Sequence, residues 1–242
     1  MDFCSEKKAL SEEDLNLEYG RTWIWTALDP NSRLILCFLV GKRTLTDCRL
    51  FFKDLLERIT NKPLFVSDEL PHYERVILEN FHTQEQVEKT GKRGRPKNPV
   101  IQIDEEINYA VVHKTRENGV VKKVETRVVF GNEQRINEQL EKSVSNKINT
   151  AYIERSNATL RQNDAHLQRK TYKFSKEKNF LKAKLAIIIL YYNFIKPHSS
   201  LSKNPDKTIT PITPALKAGI IKKNWTTKYG FERPEITIAI NV

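Results

Sequence analysis

Asp2, Asp68 and Glu154 are the acidic residues whose surroundings suit a carboxylate that performs chemistry. Such groups hold hard divalent cations, Mg²⁺ or Mn²⁺, through oxygen ligands while the ion keeps several waters. Asp68 follows the apolar run Pro63-Leu64-Phe65-Val66-Ser67 and precedes Glu69-Leu70-Pro71, which places it at the end of a short buried strand. A carboxylate there is preorganised by the sheet yet open to solvent; the competing reading is a cap on the next helix. Glu154 lies in Asn149-Thr150-Ala151-Tyr152-Ile153-Glu154-Arg155-Ser156-Asn157. On a helix it shares a side with Ala151, Ala158 and Arg161, a small side suited to close packing on a sheet edge. The competing reading is a solvated Glu seven residues from Arg161. Asp2 sits at the N-terminus, where Phe3-Cys4-Ser5 reads as the stub of a strand pairing with the Trp23 strand. Asp14, in a polar loop, and Asp29, a turn residue before Pro30, rank below it.

The rest of the chain is strongly basic, with 41 Lys and Arg against 30 Asp and Glu and a net charge of +11. Metal-holding carboxylates inside a cationic chain suggest an enzyme acting on a polyanion, and DNA is the obvious one. Two clusters strengthen this. Gly91-Lys92-Arg93-Gly94-Arg95-Pro96-Lys97 resembles an AT-hook. In such an element Arg93 and Arg95 favour the potential of a narrow minor groove, Gly94 lets the backbone sit deep and Pro96 keeps it extended, with Lys97 among the DNA-binding residues. A plain basic loop is the alternative. From Arg161 to Lys184 basic residues, Arg169 and Lys170 among them, interleave with Tyr172 and Phe174, which suits a phosphate track with stacking. A solvated helix face is the alternative there.

Three cysteines, Cys4, Cys37 and Cys48, form no CxxC pair, which argues against a disulfide scaffold or a cysteine zinc site. His166 and His198 have no partner at metal-ligand spacing. The apolar stretch Ala183–Leu190 is too short to span a bilayer, and Glu6, Lys7 and Lys8 interrupt any leader-like core, so a cytoplasmic, nucleoid-associated protein with no membrane partner is expected.

The elements that must position these groups follow from pattern. Thr22–Leu28 and Leu34–Val40 read as a hairpin around Asp29-Pro30-Asn31-Ser32. A helix capped by Thr44 or Thr46 runs to about Ile59, burying Cys48, Phe51, Phe52, Leu55, Leu56 and Ile59. The Asp68 strand and a helix from Tyr73 to Phe81 come next. Residues 84–99 read as an exposed basic loop. Strands at Ile107–Lys114 and Glu125–Phe130 flank the turn Glu117-Asn118-Gly119. Helices follow from Gln134, from Asn149 to Gln168 and from Glu177 to Phe194, and a last strand is expected at Ile236–Ile240. The order describes an α/β domain with one central mixed sheet, with ligands expected at strand ends.

Taken together, several motifs resemble the insertion-sequence-one family of transposases. They are Thr22–Pro30, Val40-Gly41-Lys42-Arg43-Thr44, Ser67-Asp68-Glu69-Leu70, His113–Gly119, Asn149–Arg155, Leu160-Arg161-Gln162 and Arg169–Lys176. Tyr191-Tyr192-Asn193-Phe194 with Pro197-His198 is similar to the tail shared by many integrase-like transposases. The resemblance covers about residues 2 to 216. It implies a ribonuclease-H-like mixed sheet flanked by helices over residues 1–200, with the basic loop inserted at 84–99 and a tail at 201–242. It also implies an Asp, Asp, Glu triad at Asp2, Asp68 and Glu154 binding two Mg²⁺ or Mn²⁺ ions. Arg155 and Arg161 are then expected to hold flanking phosphates. The expected partners are DNA ends, target DNA and further copies of the chain. Asp2 matches its motif imperfectly, and the zinc-ribbon and helix-turn-helix region that precedes the catalytic domain in this family is not expected here. An inactive DNA-binding remnant and a nuclease without strand transfer are the alternatives.

Overall fold

Aromatic and β-branched residues favour a pleated, half-buried surface, and Trp23–Leu28 accordingly forms β1. It is followed by β2, Ile35–Gly41. The structure is a computed structural model and describes residues 22–85, 100–168, 172, 173, 175, 177–204 and 206–231. The described residues fall into two units, one within Met1–Asn61 and Ala151–Val242, the other Lys62–Thr150.

In the first unit β1 and β2 pair antiparallel, Trp23 opposite Gly41 and Leu28 opposite Ile35, with an irregularity at Ala27/Leu28. The connection is held by buried Asp29, whose carboxylate accepts from the backbone N–H of Asn31 and of Ser32, each at 2.9 Å. This is the local side-chain turn that Asp favours. Successive strand residues face opposite sides of the hairpin. On one side Trp25 lies 5.9 Å from Phe51 of α1, Leu45–Leu56, which is capped by Thr44 and buries Cys48, Phe51, Phe52 and Leu55. Burial pushes the Cys37 thiol pKa well up, so this cysteine acts as a small core residue. On the other side Ile24, Ile35 and Val40 join Leu160, Leu167, Leu181, Leu185, Ile189 and Tyr192 in one cluster. These come from α4, Ala151–Asn163, a 3₁₀ turn at Ala165–Leu167, and α5, Lys178–Leu190, which runs into a π-turn at Tyr191–Ile195. Each fully buried aliphatic side chain of this kind contributes about 1.5–3 kcal/mol. Two short helices, α6 (Pro214–Lys217) and α7 (Thr227–Phe231), follow, with Trp225 stacked on Phe194 at 4.5 Å.

In the second unit β3, Leu64–Asp68, runs parallel to β6, Asn108–Glu117, from Leu64 opposite Asn108 to Asp68 opposite Val112. β6 then pairs antiparallel with β7, Val120–Phe130. The two residues between them, Asn118 and Gly119, have φ of 50° and 80°, the pairing that tight hairpins require. Between β3 and β6 lie α2, Pro71–Asn80, and the antiparallel pair β4 (His82–Glu85) and β5 (Val100–Ile103). After β7 comes α3, Glu133–Lys142, capped by Asn132. Val76, Ile77, Ile107, Tyr109, Ala110, Val111, Val112 and Ile136 are buried.

The chain is therefore mixed α/β, with parallel and antiparallel pairing in the β3-β6-β7 sheet. Where the pattern suggested one central sheet, the described strands pair as β1–β2 in the first unit and as β3-β6-β7 and β4–β5 in the second. β3 is half-buried rather than buried, and α6 and α7 carry too little periodicity to be anticipated. The strand expected at Ile236–Ile240 lies outside the described residues. No helix among the described residues is long and apolar enough to cross a membrane.

Candidate carboxylate site and nucleic-acid interface

Asp68 closes β3 at its C-terminal end and is exposed. Its carboxylate makes no hydrogen bond or ion pair with another described residue. The cap on α2 is Leu70, with Pro71 opening the helix and no side-chain cap bond, so Asp68 does not serve the capping role that competed for it. Ser67 Oγ donates to the Asp68 carbonyl at 2.7 Å and meets the Tyr109 hydroxyl at 2.8 Å, which pins the strand end to β6. Next to it, Glu69 pairs with Nδ1 of His113, the residue after the one opposite Asp68. Sequence reasoning did not single out this carboxylate–imidazole pair. Only the parallel register brings the two together, across 44 positions.

Glu154 stands in the first turn of α4, where a negative charge is favoured by the helix dipole. It is exposed, and so are Ala151 and Ala158. Within the first unit, therefore, the small side of α4 does not pack on a sheet edge. The helix instead buries Ser156 and Leu160, and Asn157 Oδ1 accepts from Thr26 Oγ1 of β1 at 3.1 Å. Burying Leu160 gains more than burying alanine, which turns the Glu154 side outward. Arg155 is exposed and Arg161 half-buried on the same helix. Asp68 and Glu154 belong to different units. Asp2 and the hook residues Arg93, Gly94, Arg95 and Lys97 lie outside the described residues, as do Arg169 and Lys170 of the basic track.

Within that track Tyr172 is 100% exposed, the state a stacking platform needs. Lys184 instead turns to Asp164, whose fully buried Oδ1 it meets at 2.6 Å and which also accepts from His166 N at 3.0 Å. That lysine holds α5 to the turn after α4. His166 is hydrogen-bonded to the Lys173 carbonyl, and His198 Nδ1 to Ser200 Oγ at 3.0 Å.

Cationic side chains gather around His198. Arg33, at φ 64° in the hairpin turn, lays its guanidinium 3.8 Å from the centre of the Tyr152 ring in the first turn of α4. The His198 ring meets Tyr192 edge-on at 6.0 Å. Burial holds the imidazole below its ordinary pKa, and the charges of Arg33, Arg155 and Lys196 lower it further. Arg33 and Lys196 gave no sequence signal beyond their charge, since a turn and a helix end brought them together.

The described donors suit a hard cation in kind, since Asp68 and Glu154 are exposed carboxylates on regular elements. Among the described residues, no three His, Cys, Asp or Glu side chains form a group able to hold a metal ion. No protein-family model matches the chain, and neither a curated protein nor a solved structure matches it.

Proposed function

We propose that this chain is the catalytic domain of a transposase of ribonuclease-H-like fold that cleaves DNA and joins the freed end to a target. The observation that carries this reading is the Asp68 carboxylate, exposed at the end of a strand and used neither for capping nor for pairing. Supporting it is the order of elements: hairpin, helix, Asp-bearing strand, and later a Glu-bearing helix that packs on the hairpin. In this account Asp68 and Glu154, with Asp2, would hold the metal ions. Two such ions would supply positive charge that activates an attacking oxygen and stabilises a leaving one.

The chain's own residues orient the DNA. Arg155 and Arg161 follow Glu154 along α4 and would hold phosphates beside the scissile bond, while the hook at 91–97 would lie in a minor groove. Attack by water at an element end releases a 3′-OH, and that 3′-OH then attacks a phosphodiester of the target. Copies of the chain would assemble on paired ends. The test is joining of a labelled oligonucleotide with a free 3′-OH to supercoiled plasmid in Mn²⁺. Covalent products that depend on the 3′-OH are expected. Cleavage without joining would leave a nuclease, and binding without either would leave a DNA-binding remnant.

A further inference from the structure

Arg33 lies over the ring of Tyr152, one helical turn before Arg155. Asn193, three residues before Lys196, bonds the backbone of Ile35, two residues after Arg33. Arg33, Arg155, Lys196 and His198 thus come from neighbouring parts of the first unit, and none makes an ion pair with a carboxylate of any described residue. The three charges of Arg33, Arg155 and Lys196 repel one another without a counter-ion, and a bound anion would offset that repulsion, with His198 beside them as a neutral polar ring. The parts that hold this group are built from inside. Asp29, itself buried, fixes the turn through the backbone of Asn31 and Ser32. This turn carries Arg33 in a left-handed conformation that a β-carbon disfavours. The Arg33 guanidinium donates to the Pro30 carbonyl and lies over the Tyr152 ring, and a guanidinium has further N–H donors beyond that bond. From the other side, buried Tyr192 in the π-turn supports the His198 ring, with Lys196 at the end of the same turn. Arg155 comes from α4, one turn beyond Tyr152, and the α4 N-terminus adds its own positive end.

We infer that Arg33, Arg155, Lys196 and His198 form a phosphodiester-binding site that grips the nucleic-acid backbone beside the Glu154 turn. The planar Arg33 fork suits two oxygens of one phosphate, and Lys196 supplies a point charge. This inference rests on the chain acting on DNA but not on its cutting DNA.

The experiment is binding of a labelled 30-base-pair duplex to the full chain by fluorescence anisotropy, over a range of salt concentrations and in EDTA, so that no metal-dependent step contributes. Arg33→Asn removes the charge with a residue that tolerates the left-handed turn, and Lys196→Gln does so at an exposed position. Each is expected to lower the slope of log affinity against log salt by about 0.9, the share of one phosphate contact. Lys217→Gln on α6 removes the same charge elsewhere and should leave the slope unchanged. Unchanged slopes in both site variants, or an equal fall in Lys217→Gln, would overturn the site. A chain that binds as expected here yet never nicks DNA would refute the catalytic reading and leave this site standing.

Discussion

Asn193 uses both ends of its side-chain amide on the backbone of Ile35, Nδ2 donating to the carbonyl at 2.9 Å and Oδ1 accepting from the N–H at 3.1 Å. The amide thus takes the place of a strand residue at the outer edge of β2, where no further strand pairs among the described residues. Both groups are buried, so neither has water as a ready alternative. The π-turn Tyr191–Ile195 is what aims Asn193 at this edge, in keeping with the tendency of such turns to reposition a side chain.

Asn193→Ala is accordingly expected to lower stability by about 2–5 kcal/mol, because a buried donor and a buried acceptor are both left unmatched. Urea unfolding would show a lower midpoint at an unchanged slope. A loss below about 1 kcal/mol would mean that water replaces the amide without penalty.

Two glycines with positive φ should respond differently to alanine. At Gly131, φ 102°, a β-carbon would lie 2.2 Å from Asn108 Oδ1 and 2.9 Å from the Ile107 carbonyl, and the latter is backbone that does not move aside. At Gly119, φ 80°, nothing lies within 4 Å. Gly119→Ala should cost about 1–2 kcal/mol from conformation alone. Gly131→Ala should cost clearly more, read as the difference in thermal midpoint between the two variants. Equal losses would contradict the packing of Asn108 against the end of β7.

His198 links the cationic cluster to pH. Burial first, then Arg33, Arg155 and Lys196, keep its folded pKa below the ordinary value, near 6.5 for an unperturbed histidine. The unfolded chain therefore takes up the proton first as pH falls. The contribution of His198 to stability is complete above about pH 7 and declines as pH falls through about 6.5. His198→Gln should flatten this part of the stability profile. Following the His198 ring protons by NMR across pH 5–8 should place its midpoint below that of an exposed histidine, and a midpoint above it would contradict the neighbourhood described.

Local order proved legible in the sequence wherever short-range chemistry decides it. The Asp29-Pro30-Asn31-Ser32 turn, the Thr44 cap, the Asn118-Gly119 hairpin and the strand carrying Asp68 each rest on a few adjacent residues. The candidate carboxylates Asp68 and Glu154 were found the same way, from an apolar run before one and a helical motif around the other. What the pattern did not reveal depends on register between distant elements. The meeting of Glu69 with His113 needs the parallel β3–β6 pairing, and that of Arg33 with Tyr152 needs α4 packed on the hairpin. The outward turn of Glu154 likewise reflects a competition between Leu160 and two alanines for the core, which helical spacing alone does not decide.

The most direct test of the catalytic reading is nicking of supercoiled plasmid in Mg²⁺ or Mn²⁺ by the parent chain, Asp68→Asn and Glu154→Gln. Both substitutions keep size and exposure while removing a metal-holding charge, so folding should be unaffected. The account predicts metal-dependent nicking by the parent and at least a hundredfold loss in each variant, about 2.7 kcal/mol of transition-state stabilisation or more. Nicking that persists in either variant, or a parent chain that binds DNA and never cuts it, would contradict the account.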